Sequence, residues 1–84
     1  MRIKKNIAVR ETGFVFNPTT GDSYSINQVG QEILGYLGEN KSQAEITSLM
    51  TTGYDIDPPS FEKYYFDFIS TLRQFELLEE ENEN

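Results

Sequence analysis

Gly13-Phe14-Val15-Phe16-Asn17-Pro18-Thr19-Thr20-Gly21-Asp22-Ser23-Tyr24-Ser25-Ile26-Asn27 is the stretch whose reading decides the fold. Phe14-Val15-Phe16 is β-branched and aromatic, and it is bounded by Gly13 on one side and Asn17-Pro18 on the other, so it reads as a strand. Pro18 fixes φ and Gly21 tolerates a positive φ, which together make a turn. Ser23-Tyr24-Ser25-Ile26 returns as a second strand with Tyr24 and Ile26 on one face. Asn27 ends that strand, and its side-chain oxygen can accept from an early N–H of a following helix. The hairpin leaves a sheet edge, and the Ser23 to Ile26 strand carries no lysine or proline to blunt it. Such an edge can take an added strand.

Upstream, Ile7 and Val9 alternate with Asn6, Ala8 and Arg10, which predicts a half-buried strand from Lys4 to Glu11. Downstream, Val29, Ile33, Leu34 and Leu37 recur at helical spacing and Gly38 stands at the natural stop. Gly30 and Gly35 inside this helix cost roughly 1 kcal/mol each against alanine, so packing must hold it. A close approach by another element is one reason to keep them small. Ser42-Gln43-Ala44-Glu45 is a capping box that opens a second helix, with Ile46, Leu49 and Met50 as its apolar stripe and Gly53 as its end. Tyr54-Asp55-Ile56 then leads to Asp57-Pro58-Pro59, where a third helix starts at or just after Pro58. Its stripe is Phe61, Tyr65, Phe68 and Leu72, with Ile69 on one shoulder and Tyr64 and Phe75 on the other. Phe66 lies nearly opposite. Leu77 and Leu78 close the domain.

The chain has 84 residues, enough for one domain and one modest core. Its net charge of −7 is unevenly spread: Glu76, Glu79, Glu80, Glu81 and Glu83 crowd the end, while residues 1 to 75 carry seven bases against nine acids. Four of the bases are Arg2, Lys4, Lys5 and Arg10, a group that could contact phosphate or an acidic peptide, or serve as a charged guard on an edge strand. Residues 79–84 are expected to be an acidic disordered tail outside a 1–78 domain. The chain has no cysteine and no histidine, which excludes disulfides, thiolate or imidazole metal sites, and triads built on histidine. Asp22, Asp55, Asp57 and Glu62 lack the spacing of a calcium loop, and no pair of carboxylates is singled out by an apolar setting. Asn6, Arg10 and Glu11 break what would be the apolar core of a signal peptide, and no apolar run is long enough to span a membrane. The composition suits a reducing cytoplasm and predicts neither catalytic residues nor a cofactor.

Taken together, these landmarks resemble the PqqD-like peptide-chaperone family, also called RiPP recognition elements. The resemblance runs through the strand and turn at Phe14 to Asp22 and through Tyr24-Ser25-Ile26-Asn27 entering a helix with Gly30, Ile33, Leu34 and Leu37. It continues through Glu45-Ile46, Tyr54-Asp55, Phe68-Ile69, Leu72 and Leu77-Leu78, covering about residues 4 to 78. The resemblance implies an α+β, winged-helix-like domain: a small three-stranded antiparallel sheet followed by a three-helix bundle. It also implies a non-enzymatic module that holds the leader of a precursor peptide as an added strand and presents it to a modifying enzyme, often a radical SAM enzyme. Carried over by position, the peptide-binding residues are Ser23, Tyr24, Ser25 and Ile26 on the strand and Tyr64, Phe68 and Thr71 on the third helix. Glu76 departs from the family, which often places a glycine there.

Two other classes compete. A winged-helix DNA-binding regulator needs a basic recognition helix, yet the third helix sets Glu62 and Asp67 against Lys63 and Arg73. A dimerisation module of a larger assembly, or a homodimer, would use the surplus aromatic surface of the third helix as well as a peptide would.

Overall fold

The computed structural model describes residues 2–79, ordered as β1 (Arg2–Ile3), β2 (Ala8–Val9), β3 (Phe14–Asn17), β4 (Asp22–Ser25), α1 (Gln28–Gly38), α2 (Gln43–Gly53), α3 (Pro58–Gln74) and β5 (Leu78–Glu79). The hairpin closes as its turn residues dictate. Gly21 sits at φ 80° and donates its N–H to the Asn17 carbonyl at 2.8 Å. The Asn17 side chain is buried, and its Oδ1 accepts the Thr19 N–H at 3.0 Å, so this polar group inside the fold is satisfied locally. β2, β3 and β4 form an antiparallel sheet in that order, with Val9 opposite Val15 and Val15 opposite Tyr24.

Each helix begins at the cap its sequence offers. The Asn27 Oδ1 accepts the Gly30 N–H at 2.9 Å, and Asp57 Oδ2 accepts the Ser60 N–H at 3.1 Å. Ser42 and Glu45 satisfy each other's backbone donors at 3.0 and 3.1 Å. Accepting these N–H groups holds the Asp57 and Glu45 carboxyls below the ordinary carboxylate range. α1 stops at Gly38, but the left-handed residue beyond it is Asn40, at φ 61°.

One core joins the layers: Val15 from the sheet, Ile33 and Leu37 from α1, Ile46 and Met50 from α2, and Phe61, Tyr65, Ile69 and Leu72 from α3, closed by Leu77. Each such side chain contributes about 1.5–3 kcal/mol on leaving water, and together they fix how α3 lies relative to the sheet.

The structure corrects four expectations. The Lys4 to Glu11 segment is not one strand: the Ile7 N–H turns back to the Lys4 carbonyl at 3.0 Å, and only Ala8–Val9 joins the sheet. Ile7 is therefore buried while Val9, on the outer strand, is 45% exposed. Arg2–Ile3 instead pairs with Leu78–Glu79, so the domain is closed by a second, two-stranded sheet. Glu79 belongs to that strand rather than to a disordered tail, and residues 80–84 lie outside the described residues. On α2, burial follows the single line Ile46–Met50 and leaves Leu49 at 41% exposure. On α3, the buried stripe is Phe61, Tyr65, Ile69 and Leu72, with Phe68 displaced to the side of Tyr64.

Candidate functional site

β4 is an outer strand, and no described strand pairs with its far side. The Ile26 N–H donates to the Gly13 carbonyl at 2.8 Å, in register with Val15 opposite Tyr24. Because antiparallel pairing alternates, the backbone groups of Tyr24 and Ile26 face β3, while the N–H and C=O of Ser23 and Ser25 face away from it. The side chains alternate in the complementary sense: Tyr24 and Ile26 are half-buried against the core, and Ser23 and Ser25 are exposed. The edge thus presents two outward donors and two outward acceptors.

Facing that edge is α3, and between them lies a cleft of about 260 Å³. Six of the seven residues expected from the sequence line it: Tyr24, Ser25 and Ile26 from one side, Tyr64, Phe68 and Thr71 from the other. Ser23 lies further back on β4 and does not line the cleft. The helix presents its Tyr64 shoulder because Ile69 is drawn into the core.

Contacts across the cleft close both of its ends. At one, Tyr24 and Phe75 stack with ring centroids 4.7 Å apart. At the other, the Tyr64 hydroxyl donates to Asn27 Oδ1 at 3.2 Å, so the α1 cap is also tied to α3. Between them Tyr64 and Phe68 lie nearly parallel, 6.3 Å apart. Gly30 sets the depth: a Cβ there would fall on the Ile26 Cγ2 methyl and within 3.0 Å of Phe68 Cε1. Asn27, Leu72, Phe75 and Leu77 complete the lining and were not singled out as site residues in the sequence. For Phe75 the signal was present, since it shares the Tyr64 shoulder. For Asn27 the cap reading hid the second contact.

None of the lining residues carries a charge at neutral pH. Burial, then the Asp22 carboxylate, pushes the Tyr24 phenol above its ordinary value, so it remains a hydrogen-bond donor. Among the described residues no group of three or more acidic side chains is gathered for a metal, and no helix is long and apolar enough to cross a membrane. What the geometry offers is an unpaired strand edge beside an apolar, aromatic trough.

Residues 13–78 match the family described as coenzyme PQQ synthesis protein D, PqqD. The chain belongs to the PqqD family. A solved structure described as TbiB1 in complex with the TbiA(beta) leader peptide is similar to it with a TM-score of 0.87 and 27% sequence identity, over 99% of this chain and 100% of that one. None of the curated proteins matches the sequence. The match to the PqqD family begins at Gly13, so it takes in the hairpin, the three helices and β5 up to Leu78, while the similarity to TbiB1 extends over the N-terminal arm as well. The α+β arrangement expected from the sequence is the arrangement of this PqqD-like fold.

The departure at Glu76 falls at a strained position. Glu76 has φ 58°, the left-handed region in which a glycine meets no Cβ penalty. Despite this, the Glu76 N–H reaches the Arg73 carbonyl at 3.0 Å and the Leu77 N–H the Leu72 carbonyl at 2.9 Å, so the helix end that carries Phe75 keeps its shape.

Proposed function

We propose that this PqqD-family chain is a non-enzymatic recognition module that binds the leader segment of a ribosomally made precursor peptide by strand addition to β4 and presents it to a modifying enzyme. The observation that carries this reading is the coincidence of outward-facing Ser23 and Ser25 backbone groups with an uncharged aromatic cleft alongside them. The kinship with TbiB1, whose structure holds a leader peptide, supports it. Main-chain hydrogen bonds from β4 supply affinity, and the trough between β4 and α3 supplies selectivity for every second side chain of the guest. Tyr24 and Ile26 form the floor, and Tyr64, Phe68, Thr71 and Phe75 form the helix wall. The chain itself supplies no bond-making chemistry in this scheme. The partner is a cytoplasmic modifying enzyme, of which a radical SAM enzyme is one candidate.

The test is calorimetric titration with the synthetic leader of the precursor peptide encoded beside the gene. Saturable binding is expected, and about tenfold weaker binding by a Ser25→Pro variant of unchanged melting temperature, because proline removes one outward main-chain donor without touching the β3–β4 ladder. Binding of duplex DNA but not of the leader, or unchanged leader affinity in the folded variant, overturns the proposal.

A further inference from the structure

A second cavity, of about 290 Å³, lies against the Tyr64 end of the cleft, where α1 begins and the α2–α3 connector passes. Met50 and Phe61 are buried at its back, and Val29, Tyr54, Ile56 and Tyr64 are half-buried around its mouth. Asp55 is the one charged residue among those that line it. Tyr64 borders both the cleft and this cavity, and the bond from its hydroxyl to Asn27 Oδ1 fixes the ring as the partition between them. The far wall is fixed as well, because the Tyr54 hydroxyl is bonded to the Glu32 carboxylate of α1. A preformed apolar hollow ringed by half-exposed apolar side chains gains most by covering them with one more apolar group.

Resting on the reading of the cleft as a peptide groove, we infer that this cavity is a second subsite, which takes a large aliphatic or aromatic side chain of the same peptide from a residue just beyond the segment paired with β4. Continuity names the occupant. β4 ends at Ser25, and Asn27 turns the chain away into α1, so an added strand outruns its partner at the Tyr64 end of the cleft. With no further main chain to pair with, the next residues of the guest cross the Tyr64–Asn27 contact and arrive at the mouth formed by Val29 and Ile56. Tyr64 therefore divides two kinds of recognition: main-chain pairing on one side and capture of a single side chain on the other. The apolar lining selects leucine, methionine or phenylalanine over a charged or amide side chain, which would be buried there without a partner.

The experiment uses protein labelled at backbone amides and at Val, Ile and Met methyl groups, and two kinds of probe. The first is N-acetyl-phenylalaninamide together with N-acetyl-leucinamide at millimolar concentration. The expected result is saturable shifts of the Val29, Met50 and Ile56 methyls; in Val29→Trp, whose ring fills the mouth, the shifts of the remaining Met50 and Ile56 methyls vanish, and in Ile56→Ser, which strips it, those of the Val29 and Met50 methyls weaken. An unchanged melting temperature shows that these variants fold. The second probe is the leader of the precursor peptide encoded beside the gene, shortened one residue at a time from each end. Removal of one apolar residue outside the paired segment is expected to weaken binding about tenfold and to abolish the methyl shifts, while Ser25 and Thr71 amides still respond. If the leader perturbs Ser25 and Thr71 but never the Val29, Met50 and Ile56 methyls, the second subsite is refuted and the cleft reading stands. If it perturbs neither set, the cleft reading itself fails and the subsite falls with it.

Discussion

Two glycines of α1, Gly30 and Gly35, meet very different surroundings and let the packing between α1 and α3 be tested directly. At Gly35 an added Cβ would meet nothing within 4 Å, so Gly35→Ala recovers the helix propensity that glycine forfeits, about 1 kcal/mol. At Gly30 the same methyl would lie on Ile26 Cγ2 and at 3.0 and 3.2 Å from two carbons of the Phe68 ring. Overpacking of this kind costs about 1–3 kcal/mol, which outweighs the gain of about 1 kcal/mol in propensity. Gly30→Ala is therefore expected to destabilise the domain by about 1 kcal/mol, and the two variants to differ by about 2 kcal/mol. For a domain of this size that places their melting temperatures about 4–8 °C below and above the parent. Because Ile26 and Phe68 both line the cleft, Gly30→Ala should also weaken leader binding, and Gly35→Ala should leave it alone. Urea and thermal unfolding followed by circular dichroism measure the first effect and calorimetry the second. If both alanines stabilise the protein equally, Gly30 is not the point at which α1 admits Phe68, and the account of the cleft's depth is wrong.

Glu76→Gly relieves the left-handed strain at φ 58° and should raise stability by about 1 kcal/mol, measured by urea unfolding; a loss would mean that the Glu76 side chain is holding the helix end. Phe75→Ala removes the stack that closes one end of the cleft at 4.7 Å. It should cost about 1 kcal/mol in stability and also reduce leader affinity by more than tenfold, and unchanged affinity in the folded variant would argue for a purely structural ring. Asp57 and Glu45 have carboxyls held below their ordinary values by accepting backbone N–H groups. Their contribution is thus complete above the ordinary carboxylate range and is lost as pH falls through the depressed values. The double variant Asp57→Asn, Glu45→Gln should show a flatter decline of unfolding free energy with acid, and an unchanged slope would show that other groups set the acid limit.

Local features of this fold were legible because their causes are local. Pro18 and Gly21 make the turn, and Asn27, Ser42 and Asp57 each cap the helix that follows them. Pairing of residues 2–3 with 78–79 was not legible, because it joins the two ends of the domain and neither dipeptide carries a strand pattern of its own. Nor could periodicity settle which shoulder of α3 faces the strand, since apolar side chains continue round the helix from Tyr64 through Tyr65 to Ile69. Burial of Ile69 against the core decided it and turned Tyr64, Phe68, Thr71 and Phe75 outward together. The hairpin sequence marked β4 as the edge, but only the Ile26 to Gly13 hydrogen bond shows that the serines are the residues whose backbones face outward. The second cavity gathers Val29, Met50, Ile56 and Tyr64 from four separate segments, so no window of sequence announces it.

The central claim, strand addition to β4, makes the same two amides decisive. Hydrogen exchange at single-residue resolution should find the Ser23 and Ser25 N–H groups fast in the free protein and strongly protected once leader peptide is bound, with Tyr24 and Ile26 already slow in both states. A leader that binds tightly while Ser23 and Ser25 go on exchanging as in the free protein would contradict it.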